Sequence, residues 1–120
     1  MAESALGKSL PAREVLEQVE RIEASSEFQV SERNRAFLRY VAEETLAGRE
    51  LGIKAYTIAC NVFGRSEDFD PAADPIVRVE AGKLRKALER YYLTAGVSDP
   101  IHIDIPKGSY VPTFRPAFSR

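Results

Sequence analysis

Residues 74–93, DPIVRVEAGKLRKALERYYL, and residues 100–114, PIHIDIPKGSYVPTF, decide the fold of this 120-residue chain. Asp74-Pro75 is a helix start, with Asp as cap and Pro at the first position, so a helix is expected over 75–93 with Gly96 beyond it as the stop. At 100° per residue, Val77, Ala81, Leu84, Leu88 and Tyr91 share one side and should pack inward. Arg78, Val79, Gly82, Lys86 and Arg90 fall opposite, with Lys83 and Arg85 on the flanks. Ile101, Ile103 and Ile105 then alternate with His102 and Asp104, the period of a half-buried strand. Pro-Lys-Gly-Ser supplies a turn with Lys107 and Gly108 at its tip, and Tyr110 to Phe114 a return strand, giving a tight hairpin over 100–114.

Upstream, the pattern is helical. Pro11 opens a helix over 11–24 on which Val15, Leu16, Val19 and Ile22 recur. Phe28-Gln29-Val30 reads as a short extended segment, and Ser31 caps a second helix over 32–47 with Phe37, Leu38, Val41 and Thr45 inside. Gly48 ends it. A third helix is expected over 54–63, from Ile58, Ala59, Val62 and Phe63, with Gly64 as terminator. Arg65–Ala73, rich in Asp, Pro and Ser, is an irregular loop. The fold expected is therefore mostly α with a C-terminal β-hairpin. Residues 1–10 form a disordered arm, 11–115 one domain and 116–120 a tail.

Composition bounds the function. No apolar run is long enough to cross a bilayer, and residues 1–10 lack the apolar core of a secretory signal. One cysteine, Cys60, allows no internal disulfide and fits a reducing, cytoplasmic setting; between apolar neighbours it reads as an inert core residue. His102 is the sole histidine, so no zinc site is expected. The loose acidic cluster Glu67, Asp68, Asp70 and Asp74 lacks calcium-loop spacing. No phosphate-cradling glycine loop and no nucleophile–base spacing occurs, so neither a cofactor nor catalysis is expected.

The net charge of −1 conceals a polarity. Residues 1–75 carry nine Lys+Arg and fourteen Asp+Glu (−5), residues 76–120 eight and four (+4). A cationic helix face with a glycine in it suits close approach to a phosphate backbone. Gly82 in mid-helix costs about 1 kcal/mol against Ala, so close approach to DNA or to another helix is expected there. Glu80 falls near the inward side, where an unpaired carboxylate is costly; pairing with an arginine of the second helix, such as Arg35 or Arg39, or a place at the domain edge is expected.

VRVEAGKLRKAL followed by IHIDIPKGSYVPTF resembles the recognition helix and wing of OmpR/PhoB-type winged-helix regulators, whose helix pattern is V-x-V-x-I-x-x-L-R-K-x-L. Val77, Val79, Ala81, Leu84, Arg85, Lys86 and Leu88 fill that pattern; Gly108, Tyr110 and Phe114 resemble the wing. VSERNRAFLRYVAEE is similar to the family's first helix and KAYTIACNVFGR to its second. The same run, from about 28 to 115, resembles an N-terminal module of bacterial signalling proteins that precedes cyclase or tetratricopeptide regions. The family's N-terminal sheet has no counterpart; helix 11–24 stands in its place, and no receiver domain is expected.

The resemblance implies a winged helix-turn-helix regulator of transcription that binds DNA sequence-specifically, with helix 75–93 in the major groove and hairpin 100–114 as wing. Arg78, Val79, Gly82, Lys83, Arg85, Lys86, Arg90, Lys107 and Ser109 are the expected DNA-contacting residues. Loop 65–73 corresponds to a segment that touches RNA polymerase in some members. A homodimer is expected through helix 11–24, whose apolar face exceeds what a three-helix core requires. The alternative is a protein-interaction adaptor on the same scaffold, without DNA binding, motivated by the acidic first half.

Overall fold

In a computed structural model describing residues 10–117, the chain forms α1 (Ala12–Glu23), α2 (Glu32–Leu46), α3 (Ala55–Asn61) and α4 (Ile76–Leu93). Strands β1 (Ile101–Asp104) and β2 (Thr113–Pro116) follow. A 3₁₀ turn, Glu50–Gly52, leads from α2 to α3. The fold is mostly helical with a small antiparallel hairpin, and no helix among the described residues is long and apolar enough to cross a membrane.

Local chemistry sets the boundaries. Ser31 Oγ accepts from the Asn34 amide at 3.2 Å, closing the first turn of α2. Asp74 Oδ1 accepts from the Ile76 amide at 3.1 Å, so it caps α4 from one position further out than expected, beyond Pro75. Gly48 (φ 82°) and Gly64 (φ 70°) supply the left-handed residues that end α2 and follow α3. Gly96 serves differently. It donates to the Tyr91 carbonyl at 2.8 Å, and a Cβ there would lie 2.2 Å from the Tyr91 ring.

The core lies among all the elements. Val15, Val19 and Ile22 of α1, Phe37, Leu38 and Val41 of α2, Ile58 of α3 with Phe63 just after it, and Val77, Leu84, Leu88 and Tyr91 of α4 belong to one buried cluster. Ile101, Ile103 and Ile105 close it from the hairpin side. Each such side chain contributes about 1.5–3 kcal/mol by leaving water. Phe37 anchors the centre, edge-on to Phe63 at 5.5 Å between ring centres. Val15, Val19 and Ile22 of the α1 stripe are thus buried within one chain, while Leu16 stays partly exposed.

The hairpin differs from the expected one. Its return strand is Thr113–Pro116, not Tyr110–Phe114; Ile101 pairs with Pro116 and Asp104 with Thr113. Residues 105–112 form an eight-residue connection because Tyr110 and Val111 turn back onto the core, with the Tyr110 ring 6.4 Å from Phe37. At its tip the Ser109 amide donates to the Pro106 carbonyl at 3.3 Å, and Gly108 (φ 88°) takes the positive φ of a type II turn. Pro116 belongs to the strand and the Ala117 amide donates to the Pro100 carbonyl, so the expected tail at 116 begins too early. Leu10, assigned to the arm, packs on the core; residues 1–9 and 118–120 lie outside the described residues. Phe28-Gln29-Val30 joins no strand, though Phe28 is fully buried.

A polar seam joins α1, α4 and β1. Gln18 Nε2 donates to Asp99 at 2.8 Å and to the Tyr92 hydroxyl at 3.2 Å. Tyr91 donates to the same Asp99 carboxylate, and Arg21 to Gln18 Oε1. The Tyr92 hydroxyl donates to the Ile101 carbonyl at 2.8 Å and accepts from the Ile103 amide at 2.9 Å. Burial pushes that phenol up to about 12. Tyr92→Phe removes the hydroxyl from all three partners. It is expected to cost about 1–3 kcal/mol, read as a lower urea midpoint at unchanged slope.

His102, on the hairpin's outer side, stacks on the Tyr92 ring at 4.1 Å between centres. Burial, and secondarily Arg115, hold its pKa below the ordinary histidine value, with Asp104 opposing. The unfolded chain therefore takes up the proton first as pH falls. Stability is full above the ordinary value of about 6.5 and declines as pH falls below it. Urea midpoints measured between pH 7.5 and 5 should show this decline, flattened in His102→Gln.

Candidate nucleic-acid interface

The outer face of α4 is made by the residues its inner stripe leaves over. Arg78, Val79, Lys83, Lys86 and Arg90 are exposed and Gly82 half-buried. Arg78 and the turn Gly108–Ser109 line one cleft of about 550 Å³, which Lys54, at the start of α3, and Leu51 also border. α4, the hairpin turn and the entry to α3 therefore share a surface with three cations around it: Lys54, Arg78 and Arg85. Lys107 stands exposed beside Gly108.

The cations divide into two groups. Arg39 bonds Glu23 at 2.7 Å, Arg49 bonds Glu44 at 2.8 Å and Arg65 bonds Asp74 at 2.8 Å. These pairs lower the carboxyls of Glu44 and Asp74 through hydrogen bonds from their arginines. By contrast, Arg78, Lys86 and Lys107 pair with no carboxylate among the described residues. Exposed ion pairs contribute little to stability, so the distinction concerns availability rather than folding.

Four of the residues expected at the interface are otherwise engaged. Arg85 turns from the flank of α4 onto the hairpin: Nε donates to the Ile105 carbonyl at 2.8 Å, and Nη2 to Ser109 at 2.8 Å and Pro106 at 3.2 Å. A guanidinium fork reaches three carbonyls where a lysine would reach fewer, so Arg85 positions the turn. Ser109 Oγ accepts from the Val111 amide at 3.0 Å. Arg90 lies 3.3 Å from Glu27, and Lys83 3.6 Å from Glu80.

Glu80 does pair with an arginine of the second helix, but that arginine is Arg33 rather than Arg35 or Arg39. Asn34 Nδ2 donates to its carboxylate at 2.8 Å and its carbonyl at 3.0 Å, and Arg33 lies at 3.4 Å. Arg35 instead donates to the Glu23 and Phe28 carbonyls, and Arg39 faces Glu23 and Glu43. Burial raises the Glu80 carboxyl, but Asn34, Lys83 and Arg33 outweigh it and leave the net shift downward. The partners differ because Asn34, one turn into α2, reaches α4 directly, and no ion-pair rule singles out an asparagine.

Gly82 touches nothing. A Cβ there would meet no atom within 4 Å, so no helix among the described residues requires the glycine. Cys60 is half-exposed rather than buried, its Sγ 3.6 Å from the Ser66 carbonyl. Loop 65–73 is held by the Arg65–Asp74 pair and by Tyr56 donating to the Glu67 carbonyl at 2.9 Å. Among the described residues no three His, Cys, Asp or Glu side chains gather as metal ligands.

Sequence reasoning missed Gln18 and the clasp made by Tyr92. A glutamine inside the α1 stripe between Val15 and Ile22 is the available signal for the first. No family model, curated protein or solved structure matches the chain.

Arg85→Lys should loosen the turn without unfolding the helices. The expected result is faster amide exchange at Ser109 and Val111, with the far-ultraviolet circular dichroism unchanged.

Proposed function

We propose that the chain is a winged-helix DNA-binding domain of a transcriptional regulator, with α4 entering the major groove and the hairpin turn beside it as wing. The observation that carries this reading is the set of unpaired cations Arg78, Lys86 and Lys107 on α4 and the adjoining turn, in a chain whose other arginines are largely paired. A surface that withholds its own carboxylates from these groups leaves them for phosphates. Gly82, required by no internal contact, supports close approach of a duplex along the same face. Arg85 and Ser109 set the wing rather than touch DNA.

A module this small has limited affinity, so it works in pairs on repeated half-sites. Most of the apolar face of α1, namely Val15, Val19 and Ile22, is spent internally, and pairing then depends on the DNA spacing more than on α1. The resemblance to OmpR/PhoB-type regulators adds loop 65–73, with exposed Glu67, Asp68 and Asp70, as a polymerase-facing segment. An adaptor role on the same scaffold is the competing outcome.

Salt separates the two. Fluorescence anisotropy on 20-base-pair duplexes should give affinity that falls steeply with salt, by about 0.9 in logarithmic slope per phosphate contacted. Arg78→Ala/Lys86→Ala should reduce that slope by about 2. Absence of duplex binding at low salt would refute the DNA reading and leave the adaptor.

A further inference from the structure

Val79 is the one bulky apolar residue exposed on α4 between its cations, with 48% of its surface open. Arg78 precedes it, and Lys83 and Lys86 lie one and two turns on. Gly82 sits at the i+3 position. Helical side chains lean toward the N-terminus, so any side chain at 82 would lean back over Val79. With glycine there the space over position 82 is open, and the exposed valine lies beside it among the cations of this face. Valine and glycine are both poor helix formers, and an exposed helix surface gains from neither.

The chemistry of this face identifies the occupant. α4 carries no Asn or Gln, the side chains that pair with adenine's major-groove edge. Its nearest carboxylate, Glu80, is 3% exposed and bound by Asn34, so it is withheld from cytosine's amino group. Glu89 lies ten residues on from Val79, about 15 Å along the axis. What remains is Arg and Lys, which read guanine, and an apolar notch, which fits the thymine C5-methyl.

We propose that Val79 and Gly82 together form a thymine-reading notch: the thymine methyl seats on Val79, and Gly82 lets the base edge come down to it. This rests on the DNA-binding reading and adds a base identity to it. The flanking Arg78, which pairs with no carboxylate among the described residues, selects guanine beside that thymine.

The test starts by enriching bound sequences from a randomised 20-base-pair duplex pool. The enriched duplex is then synthesised with thymine and with deoxyuridine, which lacks only the methyl. Wild type is expected to bind the deoxyuridine duplex about fourfold more weakly per contacted thymine, the effect of one buried methyl. Val79→Ala should shrink that difference toward unity. Gly82→Ala should stay folded, with a raised urea midpoint, yet bind both duplexes more weakly. Equal affinity of wild type for the two duplexes, or full discrimination retained in Val79→Ala, overturns the notch while DNA binding itself stands. No enrichment of any duplex overturns the DNA reading and the notch with it.

Discussion

The hairpin's attachment to α4 is the constraint on which the arrangement depends. A two-stranded ribbon is marginal by itself, because each strand leaves one edge of backbone groups without a ladder. Here Ile101, Ile103 and Ile105 turn that edge of β1 toward α4. Tyr92 satisfies the Ile101 carbonyl and the Ile103 amide, and Arg85 satisfies the Ile105 carbonyl. Seven residues of helix separate the two side chains, a rise of about 10.5 Å. Two to four residues of strand separate the groups they serve, a mean of about 10 Å. The two spacings match, so one face of a helix substitutes for a third strand. The other edge is blunted by composition: Pro112 and Pro116 flank Phe114 on β2, and neither has an amide to offer an incoming strand.

A second constraint fixes α4 against α2. Glu80 is nearly inaccessible, and a buried carboxylate is tolerable only when its charge is met. Asn34 supplies two donors from α2, while Arg33 and Lys83 add charge from the surface side. The carboxylate therefore ties the first turns of both helices and draws Lys83 toward the α2 side of the face. The remaining outward positions, Arg78, Val79, Gly82 and Lys86, lie away from this tie.

The helices were legible because their signals are local. The apolar stripes of α1, α2 and α4 repeat at helical spacing, and Ser31, Asp74, Gly48 and Gly64 carry cap and stop chemistry in single residues. The hairpin was legible only in outline. Alternation in Ile101–Ile105 marks β1, but Tyr110 and Val111 look equally like a strand start and like core residues of a loop. Their packing near Phe37, a contact 73 residues distant in sequence, decided the matter. Arg85 was misplaced for a related reason. On the helical wheel it sits on a flank, and a bond from a side chain to a distant carbonyl leaves no periodic trace. Of the interface, the cationic face could be read from charge alone, but which cations are free depends on the tertiary neighbours Glu27 and Glu80.

These placements have a common consequence for the surface. The side chains that hold the hairpin, Arg85 and Tyr92, and those that would meet a ligand, Arg78, Val79 and Lys86, belong to the same rigid 18-residue helix. The turn bearing Lys107 is bonded directly to that helix through Ser109 and Pro106, with no flexible segment between. Hairpin turn and helix are therefore positioned together, and a binding partner need not spend free energy on ordering one relative to the other. α1 extends the same logic from behind: Gln18 reaches both Tyr92 and Asp99, bracing the end of α4 from the side opposite the cations. The hairpin is thus braced by α1 as well as by α4, and the outward Arg78, Val79 and Lys86 take no part in that bracing.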